Sequence, residues 1–333
     1  MRVAFRSGRE GLLVELIGSR RDLLALCVLV AAGDRCDWGV IARQAHQEGS
    51  IKGLMVGEVN ESSDWADQTR WVAQIASSDD WQAAYHRVDA EVEAARSVGA
   101  QLTTVLDQDF PINLRLVHNL PPFLFYRGVL DAQADTHSMA VVGTREATTE
   151  GLQRAYRMAG LLTESGITVV SGLARGIDTA AHQSTLDLGG RTIAVLGNGI
   201  TQVSPRGNQG LAERIVRSGG LIVSQFLPTA HPVRWTFRKR NEVTSGISQG
   251  TVVIEASRTS GARLQARLAS EHGKRVFLIK SLTSAQPWAH EIVEKGKAIE
   301  VRTAEEITER VVDYERLKNL SDHERRYLRP ALL

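Results

Sequence analysis

The sequence predicts an α/β protein: a doubly wound, mostly parallel sheet preceded by a small helical domain. Three observations carry this. From Ser138 onward short apolar runs alternate with helix-length segments. The runs are continuously apolar rather than alternating, as strands covered on both faces require. The first hundred residues instead carry helix formers at helical apolar spacing.

Taken in order, helices are expected at Asp22–Ala32, Trp38–Glu48, Ser63–Ser77 and Asp79–Val98, with Gly33, Gly49 and Gly99 as stops. Pro111, Pro121 and Pro122 punctuate residues 101–130, which read as a linker or an extra layer against the next domain. Strands follow at Met139–Val142, Ile167–Val170, Thr192–Leu196, Leu221–Ser224, Thr251–Glu255 and Val276–Ile279. Helices between them are expected at Glu150–Ser165, Asp178–Leu188, Gln209–Ser218 and Gly261–His272. Gly166, Gly219 and Gly273 stand where helix C-termini stop. A last helix is expected over Glu305–Leu317, its mixed charges suited to a solvated face. The expected domains are therefore 1–100, 101–302 and a 303–333 tail.

The bulk composition narrows the function classes. The 333 residues are 43% hydrophobic and 23% charged, with a net charge of +2, so any nucleic-acid binding must come from a local cluster of cations. Two cysteines, Cys27 and Cys36, make no disulfide framework and no zinc site, which points to a reduced cytoplasmic protein. Leu23–Ala32 is too short to span a bilayer. Neither GxxxxGK[ST] nor a GxGxxG after the first strand is found, which argues against a P-loop or an ordinary dinucleotide enzyme. No metal and no cofactor is expected.

Ligands of a doubly wound sheet bind beyond the carboxyl ends of its strands, and glycine corners fall there. "VVGTR" offers Gly143, Thr144 and Arg145. "SGLARGIDTAAH" offers Ser171, Gly172, Arg175 and Gly176, and "LGNGI" offers Gly197 and Gly199. The glycines are expected to let backbone amides cradle a phosphate. Asp178 and His182 are expected to hold the helix start rather than to do chemistry. The strongest basic signal is "HPVRWTFRKRNEVTSG", with Arg234, Arg238, Lys239 and Arg240 beside Trp235 and Phe237. Rings for stacking and cations for phosphates suit a single-stranded nucleic acid.

With these motifs in view, residues from about Leu102 to Val301 resemble the DNA-processing protein A family, also called Smf. That family belongs to a wider Rossmann-like group shared with the cytokinin-activating "lonely guy" enzymes. "AVVGTR", "VVSGLARGIDTAAH", "TIAVLGNGI", "SPRGN", "FRKRNEVTSGIS" and "VVIEASRTSGARLQARLASEHGKRVF" follow in the family's order. The resemblance implies a dimeric, non-enzymatic protein that binds single-stranded DNA, acts in recombination or natural transformation, and hands the strand to a RecA-type recombinase. It implies DNA contacts at Arg145, Ser171, Gly172, Arg175, Phe237, Arg238, Lys239, Arg240 and Asn241.

The chain also departs from the family. Arg238 replaces the proline of FPxRNR and Glu242 its second arginine. Gln225 stands where glutamate is common, and Lys280-Ser281 replaces Pro-Gly. A winged-helix domain, present in many members, is not expected in the roughly thirty residues after Val301. Two other functions are weighed. One is a sensor of a small nucleotide. The other is a nucleotide phosphoribohydrolase, against which "TSGARLQAR" stands in place of the glycine-rich signature and Glu255 outside it.

Overall fold

The computed structural model describes residues 18–31, 38–60, 63–78 and 80–311. The chain divides into two compact units, Met1–Asp89 and Ala90–Leu333.

The first unit holds α1 (Ser19–Ala31), α2 (Gly39–Glu48), α3 (Lys52–Met55), α4 (Ala66–Ser78) and the start of α5 (Trp81–Ser97). Its core is aliphatic, with Leu23, Leu24, Leu26, Ile41 and Leu54 sealed from solvent. The short α3 lies between two expected helices in a stretch assigned to neither. Gly49 ends α2 with φ near 67°. Gly33 and Cys36 lie outside the described residues.

The second unit is built on one nine-stranded sheet. Its strands are β1 (Gln101–Thr104), β2 (Phe123–Gly128), β3 (Ser138–Val142), β4 (Thr168–Ser171), β5 (Thr192–Val195), β6 (Leu221–Ser224), β7 (Gly250–Val253), β8 (Arg275–Ile279) and β9 (Ile299–Val301). The order is β1-β2-β6-β5-β4-β3-β7-β8-β9. β3 through β9 pair in parallel, and all six expected strands are among them. Their apolar side chains form a continuous core with Val141, Val252, Phe277 and Leu278 fully buried.

Residues 101–130 are neither linker nor separate layer. β1 and β2 extend the sheet in its own plane, pairing antiparallel as Gln101↔Tyr126, with β2 antiparallel to β6 in turn. The Arg115 guanidinium holds the connection by donating to the carbonyls of Val105 (2.8 Å) and Asp107.

The crossover helices are α6 (Thr149–Glu164), α7 (Ile177–Asp187), α8 (Gln209–Arg217), α9 (Arg234–Ile247) and α10 (Gly261–Glu271). Right-handed crossovers put α6, α7 and α8 on one face. The chain doubles back after β6, so α9 and α10 cover the other. Gly166, Gly219 and Gly273 follow α6, α8 and α10 with left-handed φ of 71°, 78° and 64°. The end of the unit carries α11 (Lys280–Ala285), α12 (Pro287–Glu294) and α13 (Glu305–Thr308). The expected helix over 305–317 is thus only a single turn among the described residues, and 312–317 lie outside them. No helix among the described residues is long and apolar enough to cross a membrane.

Candidate functional site

β3 is the strand from which the sheet winds in both directions, with β4 on one side and β7 on the other. Loops leaving these strands diverge there, opening a crevice at the topological switch point. A cleft of about 770 Å³ occupies it, walled by the loops after β3 and β4 and by the N-terminal turns of α9 and α10.

The α9 segment is polar, yet half of it is buried, and one internal strut explains this. Arg240 is only 8% exposed. Its Nη1 lies 3.8 Å from Asp178 Oδ2 and 3.5 Å from the Val195 carbonyl. Asp178 Oδ2 also accepts from the amides of Gly172 (3.1 Å) and Ala174 (3.3 Å). Burial pushes the Asp178 carboxyl up, against the opposing pull of Arg240, and burial pushes the Arg240 guanidinium down. A Cβ on Gly172 would stand 1.0 Å from Arg240 Nη1. Glycine is required there by the arginine, not by a phosphate. Asp178 therefore ties the loop after β4 to α9, rather than merely capping its own helix.

Helical geometry then decides which residues of the basic stretch face the cleft. Arg234, Phe237, Arg238 and Asn241 fall at i, i+3, i+4 and i+7, and all four line it. Arg145 reaches across from the loop after β3, its Cζ 4.9 Å from the Phe237 ring centroid. Arg175 joins from the loop after β4. Lys239 lies on another side of α9 and pairs with Glu242 at 3.4 Å. Trp235 also lies outside the lining, 57% exposed, with its ring against Phe226 at 5.8 Å.

Gly143 and Thr144 line the cleft, but part of the expected backbone cradle is taken up within the protein. The amides of Gly172 and Ala174 go to Asp178, that of Thr144 to the Glu255 carbonyl (2.7 Å), and that of Ile177 to the Thr144 carbonyl (3.3 Å). Gly176 has φ near 77°, and a Cβ there would stand 2.5 Å from the Thr144 carbonyl oxygen. Gly143 packs on Ile177 and Gly197 on Phe237, while the Gly199 amide donates to Ala230 (2.8 Å). These glycines let loops and side chains approach one another. Ser171 is fully buried and its hydroxyl donates to the Val141 carbonyl (2.7 Å), joining β4 to β3 instead of lining the cleft.

One contribution escaped the sequence reading. The N-terminus of α10 opens into the cleft through Thr259, Ser260 and Gly261, with Ser260 Oγ accepting from the Ala262 amide at 3.2 Å. The positive end of this helix dipole adds to the arginines. Serine before a helical run was the available signal.

Glu255 accepts from the Thr148 hydroxyl (2.7 Å) and amide, fixing the start of α6. His182 is sealed in the core, Nδ1 2.7 Å from Thr192 Oγ1, and burial holds its imidazole down near a pKa of 3.

A doubly wound sheet with an arginine-lined cleft at its switch point defines a nucleotide- or nucleic-acid-binding α/β protein. The particular family follows from comparison. The sequence model of the DNA recombination-mediator protein A family matches residues 101–312, well over half the chain, and the chain belongs to that family. It is 37% identical over 198 residues to protein Smf of Synechocystis, covering 59% of this chain and 50% of that one. To protein Smf of Escherichia coli it is 37% identical over 202 residues, covering 60% and 54%. To DNA processing protein DprA of Streptococcus pneumoniae it is 34% identical over 195 residues, covering 58% and 68%. The chain thus spans about half the length of the two Smf relatives.

Among solved structures, it is similar to DNA processing protein A of Streptococcus pneumoniae, with a TM-score of 0.62 and 27% identity over 81% of this chain and 97% of that one. It is also similar to DNA processing protein A of Helicobacter pylori, described for its single-stranded DNA binding mode. That match has a TM-score of 0.56 and 25% identity over 66% of this chain and 98% of that one.

Proposed function

We propose that this chain binds single-stranded DNA in the switch-point cleft, acting in recombination as a mediator that protects the strand and passes it to a RecA-type recombinase. The observation that carries the reading is the concentration of Arg145, Arg175, Arg234, Arg238 and Arg240 around Phe237 in a protein whose net charge is only +2. Of these, Arg240 is already committed to Asp178. The other four are exposed and free to meet phosphates.

A single strand suits a recessed cleft because its backbone torsions can turn a phosphate inward, which a stacked duplex resists. The Phe237 ring offers an apolar surface beside the cations, the combination that base stacking and backbone tracking use. The reading is of a binding protein with no bond-making step. Of the two carboxylates that line the cleft, Glu146 and Asp178, the buried Asp178 is engaged with Arg240, and Glu255 nearby is engaged with Thr148. We place this activity in the cytoplasm and in a homodimer, following the family resemblance.

The test is fluorescence anisotropy with a labelled single-stranded oligonucleotide, the matching duplex and free mononucleotides as competitors at two salt concentrations. Tight single-strand binding is expected, with log affinity falling about 0.7 per neutralised phosphate per decade of salt, hence a slope of about −2 to −3 for four arginines. Displacement by low concentrations of one mononucleotide would transfer the site to a small-nucleotide sensor.

A further inference from the structure

The cleft is not one chamber. Beyond the stacked Arg145 and Phe237 side chains lies a second lobe of about 460 Å³. The two lobes share Arg145, Ala174, Arg175, Phe237 and Arg240 as a common wall. The residues that border only the smaller lobe are Gly172, Ser204, Pro205, Gly207 and Asn208, none of them charged. The Asn208 carboxamide is fixed there, donating to the Leu173 carbonyl (2.8 Å) and to Thr179 Oγ1 (2.9 Å). Arg145, Arg175 and Arg240 thus stand on the partition, Arg234 and Arg238 line the larger lobe alone, and a neutral chamber lies behind the partition.

On the side of the smaller lobe that distribution matches one phosphodiester followed by an uncharged nucleoside, and the arginines of the larger lobe leave room for a nucleotide that carries its own phosphate. We infer that the smaller lobe is a second nucleoside subsite, so that the site's minimal ligand is a dinucleotide with its linking phosphate at the Arg145–Arg175 partition. This rests on the single-strand reading above and adds to it a count of two nucleosides per site. A lobe of this size lies within the range of ordinary small-ligand pockets. A mononucleotide satisfies the partition and one lobe only, and leaves the other to water.

The experiment is competition against a labelled oligothymidylate by thymidine 5′-monophosphate, pTpT and pTpTpT. It is run on the wild-type chain and on Gly207→Phe and Ser204→Phe. A Cβ at Gly207 meets no atom within 4 Å, so a side chain there fills space without displacing the fold. Circular dichroism checks that both variants are folded.

The wild type is expected to bind pTpT at least tenfold more tightly than the mononucleotide, with a much smaller gain to pTpTpT. Both variants are expected to lose that step while competing equally with the mononucleotide. A wild type without the step overturns the inference but leaves single-strand binding standing. So do variants that keep the step, or that weaken the mononucleotide as much as pTpT. A wild type that binds no oligothymidylate overturns both.

Discussion

Replacing Gly172 by alanine tests whether α9 is held by a buried strut or merely placed by its neighbours. The added methyl would stand 1.0 Å from Arg240 Nη1 and 2.1 Å from Cζ. To recover a contact of ~3.5 Å the guanidinium has to retreat by about 2.5 Å. At that displacement the ion pair with Asp178 and the contact with the Val195 carbonyl are both lost. Separating the partners of a buried pair costs about 3–5 kcal/mol.

Arg240→Met removes the obstacle, so the alanine should then cost under about 1 kcal/mol, giving a coupling of about 2–4 kcal/mol in a double-mutant cycle. The measurement is urea unfolding of the wild type, both single variants and the double variant at one pH. Costs that simply add, to within about 0.5 kcal/mol, would refute the strut and return Gly172 to a role in ligand binding.

Other outcomes follow from the same geometry. Arg145→Ala and Arg238→Ala should each weaken single-strand binding and reduce the salt slope by about 0.7. Lys239→Ala, on another side of α9, should change the slope far less, and equal effects at all three would undo the helical assignment. Buried His182 and His272 are both held near a pKa of 3, against 6.5 for a free imidazole, by burial above all. Above pH 6.5 neither the folded nor the unfolded chain carries a proton on them, so they add no pH dependence. Below it only the unfolded chain takes one up, so stability falls, by about 2 kcal/mol per histidine at pH 5. Urea midpoints at pH 7 and pH 5 measure this, and His182→Gln should shed its share.

Asp135→Ala strips Arg191 of a bidentate partner at 2.6 and 2.7 Å in a nearly closed site. It should cost about 3 kcal/mol, and a denaturation midpoint within error of wild type would contradict that.

Six of the seven parallel strands of the second unit were legible because burial on both faces leaves an unbroken apolar run, as in "SMAVV" or "RVFLI", and the short, half-buried β9 escaped. β1 and β2 were not legible either. β1 is half exposed and the prolines around β2 resemble loop punctuation. α9 was read as a basic stretch and not as a helix, because its buried side chains include Arg240, Asn241, Thr244 and Ser245. A helix buried through ion pairs and hydrogen bonds leaves no apolar stripe to find. The same helix explains the split among candidate contacts. In a linear motif Arg238, Lys239 and Arg240 are equivalent, whereas on a helix they point in three directions. They end as a cleft residue, a surface ion pair and a buried strut. At the glycine corners the amides of Thr144, Gly172 and Gly199 are taken up within the protein.

The pairing of Ala140 with Thr251 also has a bearing on synthesis. β3 emerges from the ribosome before β7, which follows only after seven further elements of sheet and helix have been made. Closing so long a loop is slow relative to local contacts. Until it closes, Arg145 stands on one half of the chain, Arg238 and the start of α10 on the other. A nascent chain surrounded by messenger and ribosomal RNA therefore carries dispersed arginines but no assembled cleft. The cleft is complete only once β7 has joined β3 and the start of α10 has followed it, when translation of the sheet is nearly done.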